Sequence, residues 1–77
     1  MKIKLSYSKF IKIEGYASDS VIEVDDNCTV RGLLAFLKLP SFMQKAVVVH
    51  VNDESVWNAT ILKENDTVKL YRLMSGG

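Results

Sequence analysis

The stretch Asp25-Asp26-Asn27-Cys28-Thr29-Val30-Arg31-Gly32-Leu33-Leu34-Ala35-Phe36-Leu37-Lys38-Leu39-Pro40 decides the fold. Val30, Leu33, Leu34 and Leu37 recur at i, i+3, i+4 and i+7, one apolar stripe of an amphipathic helix. Thr29 or Asn27 can cap its start, and Asp25 and Asp26 lie near the positive end of its dipole. Leu39-Pro40 reads as its end, because proline restricts the residue before it and cannot continue the hydrogen-bond ladder. A single stripe covers one face of a sheet and leaves the other without a helix.

On both sides of this helix the pattern is that of strands. Ile3, Leu5 and Tyr7 alternate with Lys2, Lys4 and Ser6, a half-buried strand. Phe10, Ile11 and Ile13 read equally as a helical turn or as more of the first hairpin. Ala17-Ser18-Asp19-Ser20 is a loop by composition. Val21 to Val24 is a second strand, with Ile22 and Val24 on one face. After the helix, Ala46 to Val51 is almost wholly apolar and β-branched and is expected as an interior strand covered on both faces. Asn52-Asp53 is a hairpin turn, and Ser55-Val56-Trp57 a short strand. In the turn Leu62-Lys63-Glu64-Asn65-Asp66, Asn65 can take the left-handed conformation. Thr67 to Leu73 is the last strand, with Val68 and Leu70 inward. The order β-β-α-β-β-β reads as one α+β domain over residues 1–77, a mixed sheet with one main helix on one face.

Composition narrows the function. The chain has 77 residues, a net charge of +1 and 48% apolar residues. That suits a small globular domain and lacks the basic footprint of a nucleic-acid binder or a polybasic membrane anchor. No apolar run approaches the length of a membrane span, and the alternating start lacks a signal-peptide core. One cysteine excludes an internal disulfide and makes a reducing, cytoplasmic setting the expectation. With a single His, a single Cys and scattered carboxylates, no metal site is expected.

The chain closes on Ser75-Gly76-Gly77. At a background glycine usage of about 7% per position, two would end a chain by chance roughly once in 200. Lacking Cβ atoms, such a tail can thread a narrow channel and present a carboxylate to another protein's active site.

Four pieces from Thr29 onward resemble the small ubiquitin-like sulfur carriers. They are Thr29-Val30-Arg31-Gly32-Leu33-Leu34, Val51-Asn52-Asp53-Glu54, Leu62-Lys63-Glu64-Asn65-Asp66-Thr67-Val68, and the Ser75-Gly76-Gly77 tail. Each is weak alone; their order and spacing over about two-thirds of the chain are specific. Asp53 and Asn65 stand where that family usually has glycine, and both residue types tolerate positive φ. The resemblance implies the ubiquitin-like β-grasp fold, with the first and last strands central and parallel. The gap from Asn52 to Asp66 and the long first hairpin look more like the small subunit of molybdopterin synthase than like the thiamine sulfur carrier.

The resemblance further implies a carrier that is not itself an enzyme and binds no permanent cofactor. A ubiquitin-activating-type adenylating enzyme would use ATP to activate the Gly77 carboxylate, which then becomes a thiocarboxylate. The sulfur would pass to the molybdopterin synthase large subunit or, in the thiamine alternative, to thiazole synthase. Gly76, Ser75, Met74 and Leu73 would form the threading segment. Tyr71, Arg72 and Tyr7 are the expected partner-binding residues, on the sheet face beside the tail, with Lys69 a weaker candidate; aromatic and Arg side chains are common binding anchors. A ubiquitin-like protein modifier needs the same activated glycine, whereas a β-grasp binding module with an incidental tail does not.

Cys28 and His50 are the one nucleophile–base combination, Cys28 near a helix start that favours thiolate. With no third orienting group, a half-buried cysteine and a structural histidine are the expected reading. Trp57 is expected in the core on account of its size, and Phe42-Met43 as satellite core under a loop.

Overall fold

The computed structural model describes residues 1–73. Five strands form one sheet: β1 (Lys2–Tyr7), β2 (Ser20–Glu23), β3 (Val47–Val51), β4 (Glu54–Ser55) and β5 (Thr67–Arg72). Two helices, α1 (Val30–Phe36) and α2 (Ser41–Lys45), lie between β2 and β3 in the chain. The sheet order is β2-β1-β5-β3-β4. β1 and β5 run parallel, with Leu5 opposite Val68 and Tyr7 opposite Leu70. The other pairs are antiparallel.

The strand alternation sorts the two faces. Ile3, Leu5, Ile22, Val49, Val51, Val68 and Leu70 are buried on the face that meets Val30, Leu33, Leu34 and Leu37. Ile11 and Ile13 join this core from an irregular segment, which settles the ambiguity of 10–13: neither helix nor strand. The opposite, open face carries Lys2, Lys4 and Ser6 of β1, Lys69 and Tyr71 of β5, and Val48 and His50 of β3. The expectation that Ala46–Val51 is covered on both faces is therefore corrected. Val48 and His50 are only half-buried, because no helix among the described residues lies over their side.

The start of α1 follows its sequence. The Thr29 hydroxyl oxygen accepts from Gly32 N–H at 3.0 Å, and Asn27 instead turns the chain with φ 63°. Its end does not. The helix stops at Phe36, before Pro40, in a left-handed turn at Lys38 (φ 60°). Lys38 N–H donates to Ala35 C=O and Leu39 N–H to Leu34 C=O, the two bonds of a Schellman cap, while Leu39 and Leu34 are both buried. Pro40 begins α2 rather than ending α1, its carbonyl accepting from Met43 and Gln44.

Three smaller expectations also change. β4 is Glu54–Ser55, and Trp57 lies beyond it, 84% exposed rather than in the core. Val56 is the neighbour that packs inward. Phe42 is 72% exposed on α2, which buries no residue fully, so it is not satellite core; Met43 is half-buried.

The two turns after β3 are locked together. Asn52 and Asp53 both have positive φ, as does Asn65, so these residues adopt the conformation that glycine adopts most easily. The Asn52 amide donates to Asp66 Oδ1 at 3.0 Å and accepts from Thr67 N–H at 3.0 Å, and Lys63 N–H donates to Asp66 Oδ2 at 2.8 Å. Asp66 is the one buried charged residue among those described, and this clamp is its compensation.

Candidate functional site

The parallel β1–β5 pair sets the geometry. β5 lies at the centre of the sheet, between β1 and β3, and the chain leaves it at Arg72 toward its C-terminus. Leu73 N–H donates to Ala46 C=O at 2.6 Å, so pairing with the residues before β3 continues past β5. Leu73 itself is exposed. Met74, Ser75, Gly76 and Gly77, the remaining expected tail residues, lie outside the described residues.

On the open face beside this end, Tyr71 stands opposite Val48 and packs diagonally against His50. The two rings are 5.1 Å apart at 69°, an edge-to-face pair. Tyr71 remains 42% exposed. With Val48 and Leu73 it makes an apolar stripe along the route to the tail, flanked by Lys69, whose ammonium is 3.4 Å from the Asp53 carboxylate.

The expected binding residues do not share that face. Tyr7 follows Ile3 and Leu5 onto the core side, packs against the core and donates its hydroxyl to Tyr16 C=O at 2.8 Å. The shared placement with Tyr71 is thus corrected, because odd-numbered residues of β1 pair with even-numbered residues of β5: Tyr7 pairs with Leu70, so Tyr71 lies on the other face. Arg72 is exposed at the strand end, beside Val47, where it borders a groove with Phe10, Leu39 and Met43.

Cys28 and His50 are not brought together. Cys28 packs on the core beside α1, while His50 lies on the open face. Cys28 is the half-buried cysteine expected, and burial, with a smaller contribution from the Asp25 charge, pushes its thiol up from the ordinary value, against the thiolate that a helix start favours. Among the described residues no group of His, Cys, Asp and Glu could hold a metal ion, and no helix is long and apolar enough to cross a membrane.

The ThiS family model matches residues 7–77. The chain belongs to the ThiS family. It is thereby a small ubiquitin-like sulfur carrier, as the four sequence pieces imply. No curated protein matches it in sequence. Solved structures share its fold. A Pyrococcus furiosus protein assigned as molybdopterin converting factor subunit 1 superposes with a TM-score of 0.71 at 24% identity, over 95% of this chain and 98% of that one. SAMP1 of Haloferax volcanii gives 0.70 at 19% identity, with both chains fully covered. A chain from the Helicobacter pylori complex of molybdopterin-converting factor subunits 1 and 2 gives 0.65 at 21%, again with both chains fully covered. At these identities the likeness is one of fold, the ubiquitin-like β-grasp.

Sequence reasoning missed the stripe of Val48 and His50 around Tyr71. The signal was available: His50 interrupts the valines at the one parity that an uncovered face requires.

Proposed function

We propose that this ThiS-family chain carries sulfur as a thiocarboxylate on Gly77 for molybdopterin assembly. The observation that supports it most is the family match, which runs through Gly76 and Gly77. An adenylating partner would join the Gly77 carboxylate to AMP from ATP, releasing pyrophosphate. A free carboxylate is a poor electrophile; the acyl-adenylate offers AMP as a leaving group. A sulfur nucleophile then attacks the carbonyl carbon, AMP departs with the former carboxylate oxygen, and C–S replaces C–O.

The large subunit of molybdopterin synthase is the proposed acceptor, supported by the fold shared with a chain of the H. pylori two-subunit complex. It would receive Leu73, Met74, Ser75 and Gly76 as a slender thread, with Tyr71 and Arg72 beside the entrance. Tyr7 would act through the core, by fixing the end of β1, rather than by contact. The chain supplies the reacting terminus and no catalytic group, and this traffic belongs in the cytoplasm.

Intact mass tests the chemistry. After incubation with ATP, an activating enzyme and a sulfide donor, a gain of about 16 Da is expected, the exchange of oxygen for sulfur through an activated acyl group. No gain, with an activating enzyme proven on a known carrier, overturns the reading. Sulfur consumed by a molybdopterin synthase large subunit and not by thiazole synthase fixes the pathway. A second reading, a protein modifier, is supported by the fold shared with SAMP1 of H. volcanii, the small archaeal modifier protein 1, and with a Caldiarchaeum subterraneum ubiquitin. Gly77 would then form isopeptide bonds to lysines, visible as higher-mass adducts in cell extract.

A further inference from the structure

Where β1 ends beside β5, a cleft of about 260 Å³ opens on the uncovered face, bounded by Ser6, Ser8, Ser18, Asp19, Lys69 and Tyr71. It falls below the range of about 300–1,000 Å³ usual for small-molecule sites, so it suits one side chain better than a cofactor. Its polar groups are unevenly satisfied. Ser6 donates its hydroxyl to Asp19 Oδ1 at 2.6 Å. Ser18 Oγ accepts from Tyr7 N–H at 3.0 Å and donates to Tyr7 C=O at 3.2 Å. Among the described residues Ser8 Oγ is buried and has no hydrogen-bond partner, a state that folded proteins seldom leave unfilled.

The charges are uneven in the same sense. The Lys69 ammonium is engaged by Asp53, whereas Asp19 has no cation within ion-pair distance among the described residues. The Asp19 backbone sits at φ 61°, a conformation that aspartate tolerates and most residues avoid. A positively charged donor group would engage the exposed Asp19 carboxylate and the acceptor side of the Ser8 hydroxyl together, a demand set beside the exposed Tyr71 ring. A guanidinium meets it best: it is planar, always charged, offers five N–H donors to carboxylate and hydroxyl oxygens, and stacks on aromatic rings.

We infer that the cleft between Asp19 and Tyr71 receives an arginine side chain from a protein docked on the open face. A free amino acid fits less well, because the cleft's one ammonium is taken by Asp53 and no other cation there would meet an α-carboxylate. This inference stands independently of whether Gly77 carries sulfur.

The test is a titration of the ¹⁵N-labelled protein with N-acetylarginine methylamide at low ionic strength, where exposed charges are least screened. Saturable shifts are expected at the Ser8, Asp19 and Tyr71 amides, with binding weakened by up to about fivefold in Asp19→Asn. Asparagine accepts the same left-handed backbone and can keep the bond from Ser6, so this variant removes charge and little else. The neutral citrulline analogue should leave those resonances in place. Unmoved cleft resonances, equal binding of the citrulline analogue, or undiminished binding to Asp19→Asn would each overturn the inference. Tighter binding of free arginine than of the capped form would overturn its assignment to a protein partner.

Discussion

Two residues carry a local cost that a substitution can remove or expose. Among the described residues Ser8 Oγ is buried without a partner. An unsatisfied buried polar group costs about 1–3 kcal/mol, so Ser8→Ala should stabilise the isolated chain by about 1 kcal/mol, seen as a higher urea midpoint. A lowered midpoint would mean that the hydroxyl already has a use in the free protein. Cys28 is the second. Because burial and then Asp25 raise its thiol, the folded chain holds that proton more tightly than the unfolded chain does. Stability is unaffected by this group below the unfolded thiol's pKa and falls as pH rises through the folded one. Iodoacetamide should therefore alkylate folded Cys28 more slowly than the urea-unfolded chain, with a higher pH midpoint. Equal midpoints would refute the burial account, and a lower midpoint in the folded chain would restore the thiolate that a helix start suggests.

At the scale of elements, α1 shows what a cap contributes. A non-glycine residue in the left-handed region costs about 1–2 kcal/mol, and Lys38 sits there at φ 60°. Glycine would remove that strain and return about 0.5–1 kcal/mol of it as chain entropy. Lys38→Gly is thus expected to raise stability by about 0.5–1 kcal/mol, and a loss would show that the lysine side chain makes a contact worth more than the strain. The Asn52–Asp66 clamp tests cooperation between two turns. Asp66→Ala should cost about 2–3 kcal/mol, since it strands the Lys63 N–H and the Asn52 amide. In a double-mutant cycle with Asn52→Ala the two losses should fall well short of adding; strict additivity would mean that the turns fold independently.

These elements also mark where the sequence is legible. The stripe from Val30 to Leu37, the alternation in β1 and the two Asn-containing turns each follow from a local rule, and each appears as read. The family resemblance rests on those same turns, which are joined by the Asn52–Asp66 clamp. What was illegible depended on neighbours distant in sequence. α2 has five residues and buries none completely, so no periodicity announces it. Trp57 was placed by size, but the loop after β4 is fixed by its backbone: Thr60 N–H donates to Trp57 C=O and Arg31 N–H to Asn58 C=O. That path leaves Val56 facing the core and Trp57 facing out. Tyr7 and Tyr71 could be assigned to faces only once the β1–β5 register was known. The cleft beside Asp19 joins a loop to two strand ends, a juxtaposition that no single motif records.

The whole molecule is a sheet with one face closed by α1 and one left open, and the two faces should answer differently to mutation. On the closed face Leu5 is fully buried, and Leu5→Ala should cost about 2–5 kcal/mol because the cavity cannot fully collapse. On the open face Tyr71 keeps 42% of its surface and one edge-to-face neighbour, so Tyr71→Ala should cost only about 0.5–1.5 kcal/mol of stability. Its larger effect belongs to association. An aromatic anchor at the centre of an interface is worth about 2 kcal/mol or more, roughly thirtyfold in affinity, and Tyr71 lies two residues before Leu73 on the route to the tail. Calorimetric titration against a molybdopterin synthase large subunit should show that loss for Tyr71→Ala. Trp57→Ala is the control that gives the result meaning: Trp57 is twice as exposed, at 84%, yet lies beyond β4 at the far edge of the sheet from β1. It should change stability by no more than about 0.5 kcal/mol and leave the affinity unchanged. If Trp57→Ala weakens the complex and Tyr71→Ala does not, the partner approaches from the β4 edge, and the open face has some other use.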